Sequence, residues 1–552
     1  MVRMLNGTLG VSIWLLVVVL VGGAAWPAGA SGEAISTGRQ APLRGAYEIA
    51  LEAAPDGRNP YFDIDLKVLF VRPDETQVTV DGFFDGGTAF KARAYCDTVG
   101  LWRWYSTSNV PELDARSGEF RVVSSKLPGK LRRHADDRRQ FAYDDGRWFL
   151  HLGDTGYRYV TDTEPQWQAY IDQAAEVGFT KIRTWFCRGR SDVQALFSED
   201  RAQMNLSYWQ EIDRRLVYAL NEHPHVIFQL IPYGEDTAEI ARYGRGDRAS
   251  VYAGKYAQAR FSALPNVYWC LTNDRNIISR EPMRGRDTSP FVINKMGLDF
   301  RRREPWGTLL TNHQRRFQGY SFVDEPWSDI ITLEDLDQVA GAVILQYRSL
   351  GSDPVILDED HYELYRPPEH PRYFFRRLMW SSLFSGGAAT YGGLRTYEPY
   401  DGEVRGVQGY LDAVEAGKLT GGAHDFRYIG KFFEDSGLTL VGMTPADAMA
   451  GYDPQHAKCI HDRDCVLVYL QNPDGRDPEK ADAAERPASV KIHLPAREYA
   501  VRWYQPRSGQ WVDDARIKQV TGGLECRFTA PFGGDAVLVL SVSSRGPAGG
   551  TQ

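Results

Sequence analysis

The 552-residue sequence predicts a multidomain chain in which a central (β/α)8 TIM barrel lies between two β-sandwich domains. Three observations predict this fold class. The chain is longer than one hydrophobic core usually supports. Short strand-like runs separated by Gly, Pro and Asp occupy both ends of the sequence. Between them, short apolar runs alternate with amphipathic stretches, a rhythm typical of βα units around a parallel sheet.

Residues 1–32 form a predicted secretory signal peptide. Arg3 precedes the apolar stretch Val11–Val21, and Ala28-Gly29-Ala30 has the small-residue pattern of a cleavage site. The apolar stretch is short for a membrane span, so an uncleaved N-terminal anchor is the less favoured alternative. We expect a secreted or periplasmic protein with no membrane association beyond this segment.

The two predicted sandwiches occupy residues 33–130 and 443–545. The first contains the runs LKVLFVRP, QVTVDGFFDGG, AFKARAYC and GLWRWYST, and the second contains CVLVYLQN, ASVKIHLP, YAVRWYQP and AVLVLSVS. Runs of this length and spacing are typical of sandwich strands. A polar insertion, Pro473 to Pro487, is expected to be a mobile loop, and residues 546–552 a disordered tail.

The barrel is predicted over residues 131–442. Its eight strand candidates begin near Trp148, Lys181, Val226, Val267, Gly307, Asp329, Val355 and Ala388. Helical stretches such as WQAYIDQAAEVG and YWQEIDRRLVYALNEH lie between them, and eight such units match the size of a (β/α)8 barrel. The segment RRFQGYSFVDEPWS between the fifth and sixth strands has no helical period, so we expect that helix to be missing or short.

Composition excludes some partners and cofactors. The net charge is -8 and no Lys/Arg run occurs, which argues against nucleic-acid binding. The sequence contains neither C-x-x-C nor H-E-x-x-H, so it predicts no metal site. Of the six cysteines, Cys459 and Cys465 are candidates for a disulfide across a hairpin in an oxidising compartment, whereas Cys187 and Cys270 are expected to be buried thiols.

Catalytic groups of such barrels lie at the C-terminal ends of the strands. Asp274 follows the fourth strand, and Asp358, Glu359 and Asp360 follow the seventh, and spacing alone does not choose among these three. A carboxylate from each strand end is expected to face the other across the barrel mouth, as glycoside hydrolysis requires. Burial or the charge of Glu359 would raise the pKa of Asp274 for an acid role. Alternatively, Asp274 or Asn273 caps the next helix, and Asp358, Glu359 and Asp360 are a solvated acidic loop. Strand alternation predicts that only one of these three points inward.

Other polar and aromatic side chains at the strand ends are candidates for substrate binding. They are Asp154, Trp185, Tyr233, Asn273, His313 and Tyr391. A helix cap is the alternative for Asp154, and packing in the core or barrel wall is the alternative for His313, Tyr391, Trp185 and Tyr233.

Four segments of the barrel region resemble motifs of the apiosidase-like glycoside hydrolases. They are RWFLHLGDTGY, NLSYWQEIDRRL, PNVYWCLTND and PVILDEDHYE, and the final SGGAATYGG resembles the family's eighth strand. The resemblance implies that Asp274 is the acid/base and Glu359 the nucleophile, which selects Glu359 among the three acids, and it adds Tyr362 as a substrate-binding candidate. Asp358, Asp360, Cys270 and Thr272 depart from the usual motifs.

The resemblance also extends to the flanking regions and to function. Residues 45–125 resemble an immunoglobulin-like domain found with such barrels, and the C-terminal part resembles a β-sandwich sometimes named for collagen binding. The implied activity is retaining hydrolysis of O-glycosidic bonds, with pentofuranosides such as apiose as candidate substrates and no cofactor. The alternative from another class is a non-catalytic carbohydrate-binding or adhesion protein. The sequence has no G-x-S-x-G or H-E-x-x-H motif for a protease or esterase, and it makes no prediction of oligomeric state.

Overall fold

The computed structural model describes most of the chain beyond the predicted signal peptide. It covers residues 34–157, 159–160, 166–187, 196–234, 237–278, 286–335, 341–360, 372–392, 423, 425–451, 453, 456–475 and 483–542. The signal peptide, Tyr362, the C-terminal tail and residues 476–482 of the polar insertion lie outside the described residues. No helix in the described ranges combines the length and apolar character needed to cross a membrane.

Nine strands form two sheets at the N-terminal end. They are β1 Ile35–Ser36, β2 Gln40–Pro42, β3 Ala46–Glu52, β4 Leu66–Val71, β5 Gln77–Asp81, β6 Phe83–Gly86, β7 Ala89–Tyr95, β8 Gly100–Ser108 and β9 Ser117–Val123. The spatial orders are β1-β3-β7-β6 and β2-β9-β8-β4-β5. Tyr47 of β3 stacks on Phe120 of β9 with ring centroids 3.6 Å apart, so the sheets pack face to face.

A short antiparallel sheet and the barrel strands follow. The short sheet contains β10 Leu131–Arg133, β11 Phe141–Tyr143 and β12 Trp148–Phe149. The next strands are β13 Gly153–Thr155, β14 Lys181–Trp185, β15 Ile227–Ile231, β16 Val267–Cys270, β17 Asn276–Ile277, β18 Asp287–Thr288, β19 Leu310–Thr311, β20 Ile331–Glu334, β21 Val355–Glu359 and β22 Ala388–Tyr391. The parallel sheet has the order β19-β16-β15-β14-β13-β22-β21-β20, a nearly closed barrel. The Asp329 backbone N–H donates to Leu310 O at 2.8 Å between its two ends.

Eight α-helices are described. They are α1 Gln166–Val177, α2 Leu206–Glu222, α3 Thr237–Gly244, α4 Arg248–Phe261, α5 Pro290–Arg303, α6 Ala342–Arg348, α7 Arg372–Phe384 and α8 Phe426–Ser436. In α2, Trp209, Ile212, Leu216 and Ala219 are buried. Their spacing of three and four residues forms one apolar stripe, the pattern of a helix with one buried face.

The structure confirms that the helix expected to be missing or short between the fifth and sixth barrel strands is absent, because residues 312–330 contain no helix. Within this segment Trp327 is fully buried, and its Nε1 donates to Asn294 Oδ1 of α5 at 2.9 Å. The predicted starting residue of the first barrel strand is wrong. The run beginning at Trp148 divides, since Trp148–Phe149 pairs with β11 and the barrel strand begins only at Gly153.

The short sheet β10–β12 closes the N-terminal end of the barrel. Leu131, Phe141 and Phe149 share a buried apolar cluster with Ile227 and Ile356 from the barrel strands. This packing leaves the opposite end, where the parallel strands terminate, for polar side chains.

The C-terminal strands form a large sheet and a two-stranded sheet. They are β23 Thr444–Pro445, β24 Ala457–His461, β25 Cys465–Leu470, β26 Ser489–His493, β27 Glu498–Gln505, β28 Gln510–Val512, β29 Gln519–Thr521, β30 Glu525–Thr529 and β31 Ala536–Val542, with a 3-10 helix at Asp447–Ala450. The predicted hairpin exists, but its disulfide does not: Cys459 lies opposite Val468 and Cys465 opposite Ser541. Cys187 and Cys270 are buried thiols, as predicted.

Buried ion pairs connect the flanking domains to the barrel. Arg93 of β7 contacts Asp213 of α2 at 2.6 Å, and Arg376 of α7 pairs through two nitrogens with Asp535, each at 2.8 Å. The boundaries assigned from the sequence to each domain stay predictions.

Candidate active site

Four buried side chains meet at the C-terminal end of the barrel. Asp274 and His313 follow β16 and β19, whereas Glu334 and Glu359 are the last residues of β20 and β21. One atom of each side chain lies within 4.8 Å of one atom of every other. None is more than 7% exposed. Because parallel barrel strands end at the same rim, residues distant in sequence converge there.

Glu359 is held by two donors. Arg183 Nη1 lies 2.7 Å from Glu359 Oε2, and the Tyr157 hydroxyl donates to the same oxygen at 2.9 Å. Trp185 stacks on Tyr157 with ring centroids 4.0 Å apart. Two donors on one oxygen fix the orientation of the Glu359 carboxylate.

The second strand supplies this support through its alternation. Lys181, Arg183 and Trp185 share one face of β14. Lys181 pairs with Asp358, while Arg183 binds Glu359. The expectation of a single inward acid in the DED sequence is therefore wrong. The pairing of β20 with β21 shifts in register at this point, so that Glu334 lies opposite Glu359 and Asp358 is not paired with a β20 residue. This β-bulge allows the consecutive residues Asp358 and Glu359 both to face the interior. All three acids are buried, which also excludes a solvated loop.

Asp274 has an environment that favours its ionised form. Burial by itself would raise the pKa of Asp274, but His313, Arg183 and Arg286 lower it well below its ordinary range. Arg286 Nη1 lies 2.8 Å from Oδ2, and His313 Nδ1 lies 3.2 Å from Oδ1. The expectation that burial and Glu359 raise this pKa is wrong because these three partners outweigh them.

The backbone at Asp274 is also unusual. Its φ of 48° lies in the left-handed region, which Asp tolerates better than most residues and which is common at functional sites. The next described element is β17, which pairs with β18. Asp274 therefore does not cap a helix immediately after it.

Glu334 is a third carboxyl group of the site that the sequence analysis missed. Burial, followed by the negative charges of Glu359 and Asp274, raises the pKa of Glu334 to about 10. Its Oε2 accepts the Arg316 backbone N–H at 2.8 Å. The available signal was its place at the end of the sixth apolar run, ITLE, the same rule that identifies Asp274 and the three acids Asp358, Glu359 and Asp360.

Arg183 and Tyr157 are also missing from the predicted site. Their signals are weaker: Arg183 is one of two charged residues, with Lys181, in the fully buried strand β14, and Tyr157 follows β13. Arg183 Nη2 also donates to Asn273 Oδ1. This bond brings the predicted Asn273 into contact with the cluster.

The remaining predicted residues lie elsewhere. Asp154 Oδ2 accepts the Tyr170 hydroxyl of α1 at 2.5 Å, and the Tyr233 hydroxyl donates to Ser250 O of α4 at 2.8 Å. Tyr391 packs between strand and helices against Phe179, Phe375 and Phe426. The structure does not bring these three to the carboxyl cluster, and Tyr362 lies outside the described residues.

Asp274, His313, Glu334 and Glu359 also have a spacing that a cation could bridge, and they are the one such group within the described ranges. Each carboxyl group, however, has its own arginine: Glu359 has Arg183, Asp274 has Arg286 and Glu334 has Arg316. The chain itself thus offsets the negative charge, and we assign the cluster to proton chemistry.

Comparison with known proteins identifies the family. The family model described as "Apiosidase-like, catalytic domain" matches residues 135–439, more than half of the chain. The chain belongs to this apiosidase-like family. A second model, a domain of unknown function, matches residues 45–109. A search of curated proteins finds no match.

Solved structures show the same fold. A Bacteroides vulgatus structure described as a glycoside hydrolase has 18% identity and a TM-score of 0.71, covering 92% of this chain and 100% of its own. A glycoside hydrolase family 5 structure from Bacteroides vulgatus has 18% identity and a TM-score of 0.61, covering 77% and 96% respectively. The apiosidase-like chain is thus a glycoside-hydrolase-type enzyme with a TIM barrel and flanking β-domains.

Proposed function

We propose that this apiosidase-like enzyme cleaves O-glycosidic bonds by retaining double displacement, with Glu359 as nucleophile and Asp274 as acid/base. The observation that carries the proposal is the closeness of the two carboxylates, whose nearest oxygens lie within 4.8 Å. Retaining enzymes hold their carboxyl groups about 5–5.5 Å apart, whereas inverting enzymes separate them by about 6.5–9.5 Å to admit water.

The surrounding contacts support these roles. Arg183 and Tyr157 both donate to Oε2 of Glu359, which fixes the orientation of the carboxylate proposed to attack the anomeric carbon. In the first step the glycosidic oxygen takes a proton from Asp274 as Glu359 attacks the sugar. In the second step Asp274 takes a proton from the water that releases the sugar. His313 Nε2 lies 3.9 Å from Glu359 Oε2, within reach of a hydroxyl placed between them.

The proposed substrate is a plant or microbial polysaccharide, with pentofuranosides such as apiose as the first candidates. This choice rests on the family. We also propose export through the N-terminal signal peptide, with Arg3, the apolar stretch and Ala28-Gly29-Ala30 as its features. Mass spectrometry of the protein secreted by its host tests export, because cleavage after Ala30 removes the segment, and an intact N-terminus contradicts it.

The deciding experiment measures sugar release from a panel of plant and microbial glycans by wild type and Glu359→Gln. Release by wild type, lost in the variant, supports the proposal and names the substrate. Equal release by both proteins refutes Glu359 as nucleophile. Binding of a glycan without release by either favours the alternative, a carbohydrate-binding or adhesion protein.

The stereochemistry of the product tests the mechanism separately. Proton NMR during hydrolysis should show the product first in the anomeric configuration of the substrate. Initial formation of the opposite anomer contradicts double displacement.

A further inference from the structure

Glu334 occupies a position that the proposed mechanism does not use. The register shift between Leu333 and Glu334 sets it directly opposite Glu359 on the neighbouring strand. It is only 7% exposed, and one of its oxygens lies within 4.8 Å of atoms of Asp274, His313 and Glu359. A carboxyl group placed this close to two others contributes directly to the charge of the site.

The three carboxyl groups differ in how strongly a neighbouring arginine stabilises their ionised form. Arg183 is fully buried and donates to Glu359 at 2.7 Å. Arg286 donates to Asp274 at 2.8 Å. Glu334 accepts a backbone N–H from Arg316, while the Arg316 side chain reaches Oε1 only at 3.2 Å and without hydrogen-bond geometry. Glu334 therefore has the weakest support for a negative charge.

Neighbouring carboxyl groups in a buried site do not all ionise together, and their protons belong to the group as a whole. The groups that face Glu334 are Glu359 from β21, Asp274 after β16, His313 after β19 and Arg316 from the following loop. Two are acids, and their charges favour a proton on Glu334. Its pKa, raised to about 10 by burial and these two charges, agrees with this location.

We propose that Glu334 is a third carboxyl group of the catalytic centre and holds the one proton that it shares with Asp274 and Glu359. The proposal rests on the retaining mechanism given above. It answers a difficulty in that mechanism: Asp274 must donate a proton, yet its contacts with Arg286 and His313 favour its ionised form.

The proton then moves in a closed cycle. It passes from Glu334 through a bridging water or sugar hydroxyl to Asp274, and from there to the glycosidic oxygen. The bond between C1 and that oxygen breaks, its electron pair stays on the oxygen, and a Glu359 oxygen bonds to C1. Esterified Glu359 has no charge, which reduces the affinity of Glu334 for a proton and so favours its release.

In the second half, water attacks C1 and gives a proton to Asp274. The bond between C1 and Glu359 breaks, and its electron pair restores the Glu359 carboxylate. The renewed negative charge draws the proton back to Glu334. Glycoside and water are consumed, and sugar and alcohol are formed, with all three carboxyl groups returned to their first state.

Infrared difference spectroscopy tests the location of the proton without any substrate. Wild type at neutral pH should show the carbonyl stretch of a protonated carboxyl group, and Glu334→Gln should lack it. In wild type the band should disappear near pH 10. Glu239→Gln is the matched control, because Glu239 is buried but paired with Arg201 at 2.5 Å and does not belong to the four-residue cluster. Absence of the band in wild type, or its persistence in Glu334→Gln, overturns the proposal.

Kinetics test the use of the proton with the glycan that the panel identifies. Glu334→Gln should lose about 10²–10⁴-fold in kcat at neutral pH, the usual contribution of acid–base catalysis, and its pH optimum should become more acidic. An aryl glycoside of the same sugar with a good leaving group should lose much less. A structural role would reduce both substrates equally without shifting the pH profile, and that result overturns the catalytic role.

The two tests separate this proposal from the proposed function. If wild type releases no sugar but the infrared band depends on Glu334, the proton location stands and the hydrolytic role fails. If wild type hydrolyses glycans while Glu334→Gln retains full activity at every pH, the retaining mechanism stands and Glu334 is not its proton carrier.

Discussion

Arg183 Nη1 lies 2.7 Å from Glu359 Oε2, so a guanidinium on the second barrel strand supports a carboxylate on the seventh. Arg183 also donates to Asn273, the residue before Asp274. One side chain therefore connects both proposed catalytic segments, and its planar fork suits two acceptors at once.

Replacement of Arg183 should affect activity and stability differently. Arg183→Lys keeps the charge but cannot reach both acceptors, so we expect a folded protein with strongly reduced kcat. Arg183→Met leaves Glu359 and Asp358 without this cation, at a cost of about 3–5 kcal/mol in the free energy of unfolding. Denaturant unfolding and sugar release measure the two effects. Arg201→Lys, whose side chain donates to Glu239, Asp247 and Ser250 and not to the cluster, should leave kcat unchanged. Full activity in Arg183→Lys would contradict the assignment.

The Tyr157 hydroxyl should contribute to the reactivity of Glu359. A hydrogen bond to a charged group contributes about 1.5–3 kcal/mol, so Tyr157→Phe should reduce kcat/KM by about 10–100-fold. Tyr159→Phe is the matched control, because its buried hydroxyl donates to Arg215 O at 2.7 Å, away from the cluster. Equal effects of the two substitutions on kcat/KM would show that the Tyr157 bond is structural only.

The stability of the protein should depend on pH through Glu334. Its pKa rises from 4.5 to about 10 on folding, chiefly through burial and the charges of Glu359 and Asp274. Between these pH values the folded protein binds the proton and the unfolded chain does not, so the free energy of unfolding falls as pH rises. Glu334→Gln removes this dependence.

The measurement is the denaturant midpoint of both proteins across this pH range. Glu334→Gln should gain stability relative to wild type as pH rises, and parallel pH curves for the two proteins would rule out the raised pKa.

The contact between Arg376 and Asp535 should hold the C-terminal domain on the barrel. Asp535→Asn breaks a buried bidentate pair, and we expect a loss of about 3 kcal/mol or more. Thermal unfolding and limited proteolysis would report the change as a lower Tm and earlier release of this domain. Glu75→Gln, in an exposed pair with Arg103, should cost no more than about 1 kcal/mol. Similar losses in both variants would contradict a special role for Arg376.

Sequence patterns locate strand ends well but not side-chain directions. Asp274, His313 and the three acids of the DED sequence are predicted because they follow apolar runs, and the resemblance to the apiosidase-like family selects Glu359 among those acids. Asp274, His313 and Glu359 all reach the cluster. Asp154, Tyr233 and Tyr391 satisfy the same rule, yet their side chains contact the surrounding helices. Over a strand end of two or three residues, one position changes which side of the barrel wall a side chain faces.

The sequence by itself determined the fold class, because the period of its apolar residues distinguishes sandwich strands from βα units. It also located the rim of the barrel, since all parallel strands end there. Only the tertiary structure decided which carboxyl groups meet and what charge each supports. Arg183 lies 176 residues from Glu359, and the bulge at Asp358 exists only in the pairing of β20 with β21. The ionisation of each carboxyl group depends on its distance in space from other charges, and local sequence does not encode those distances.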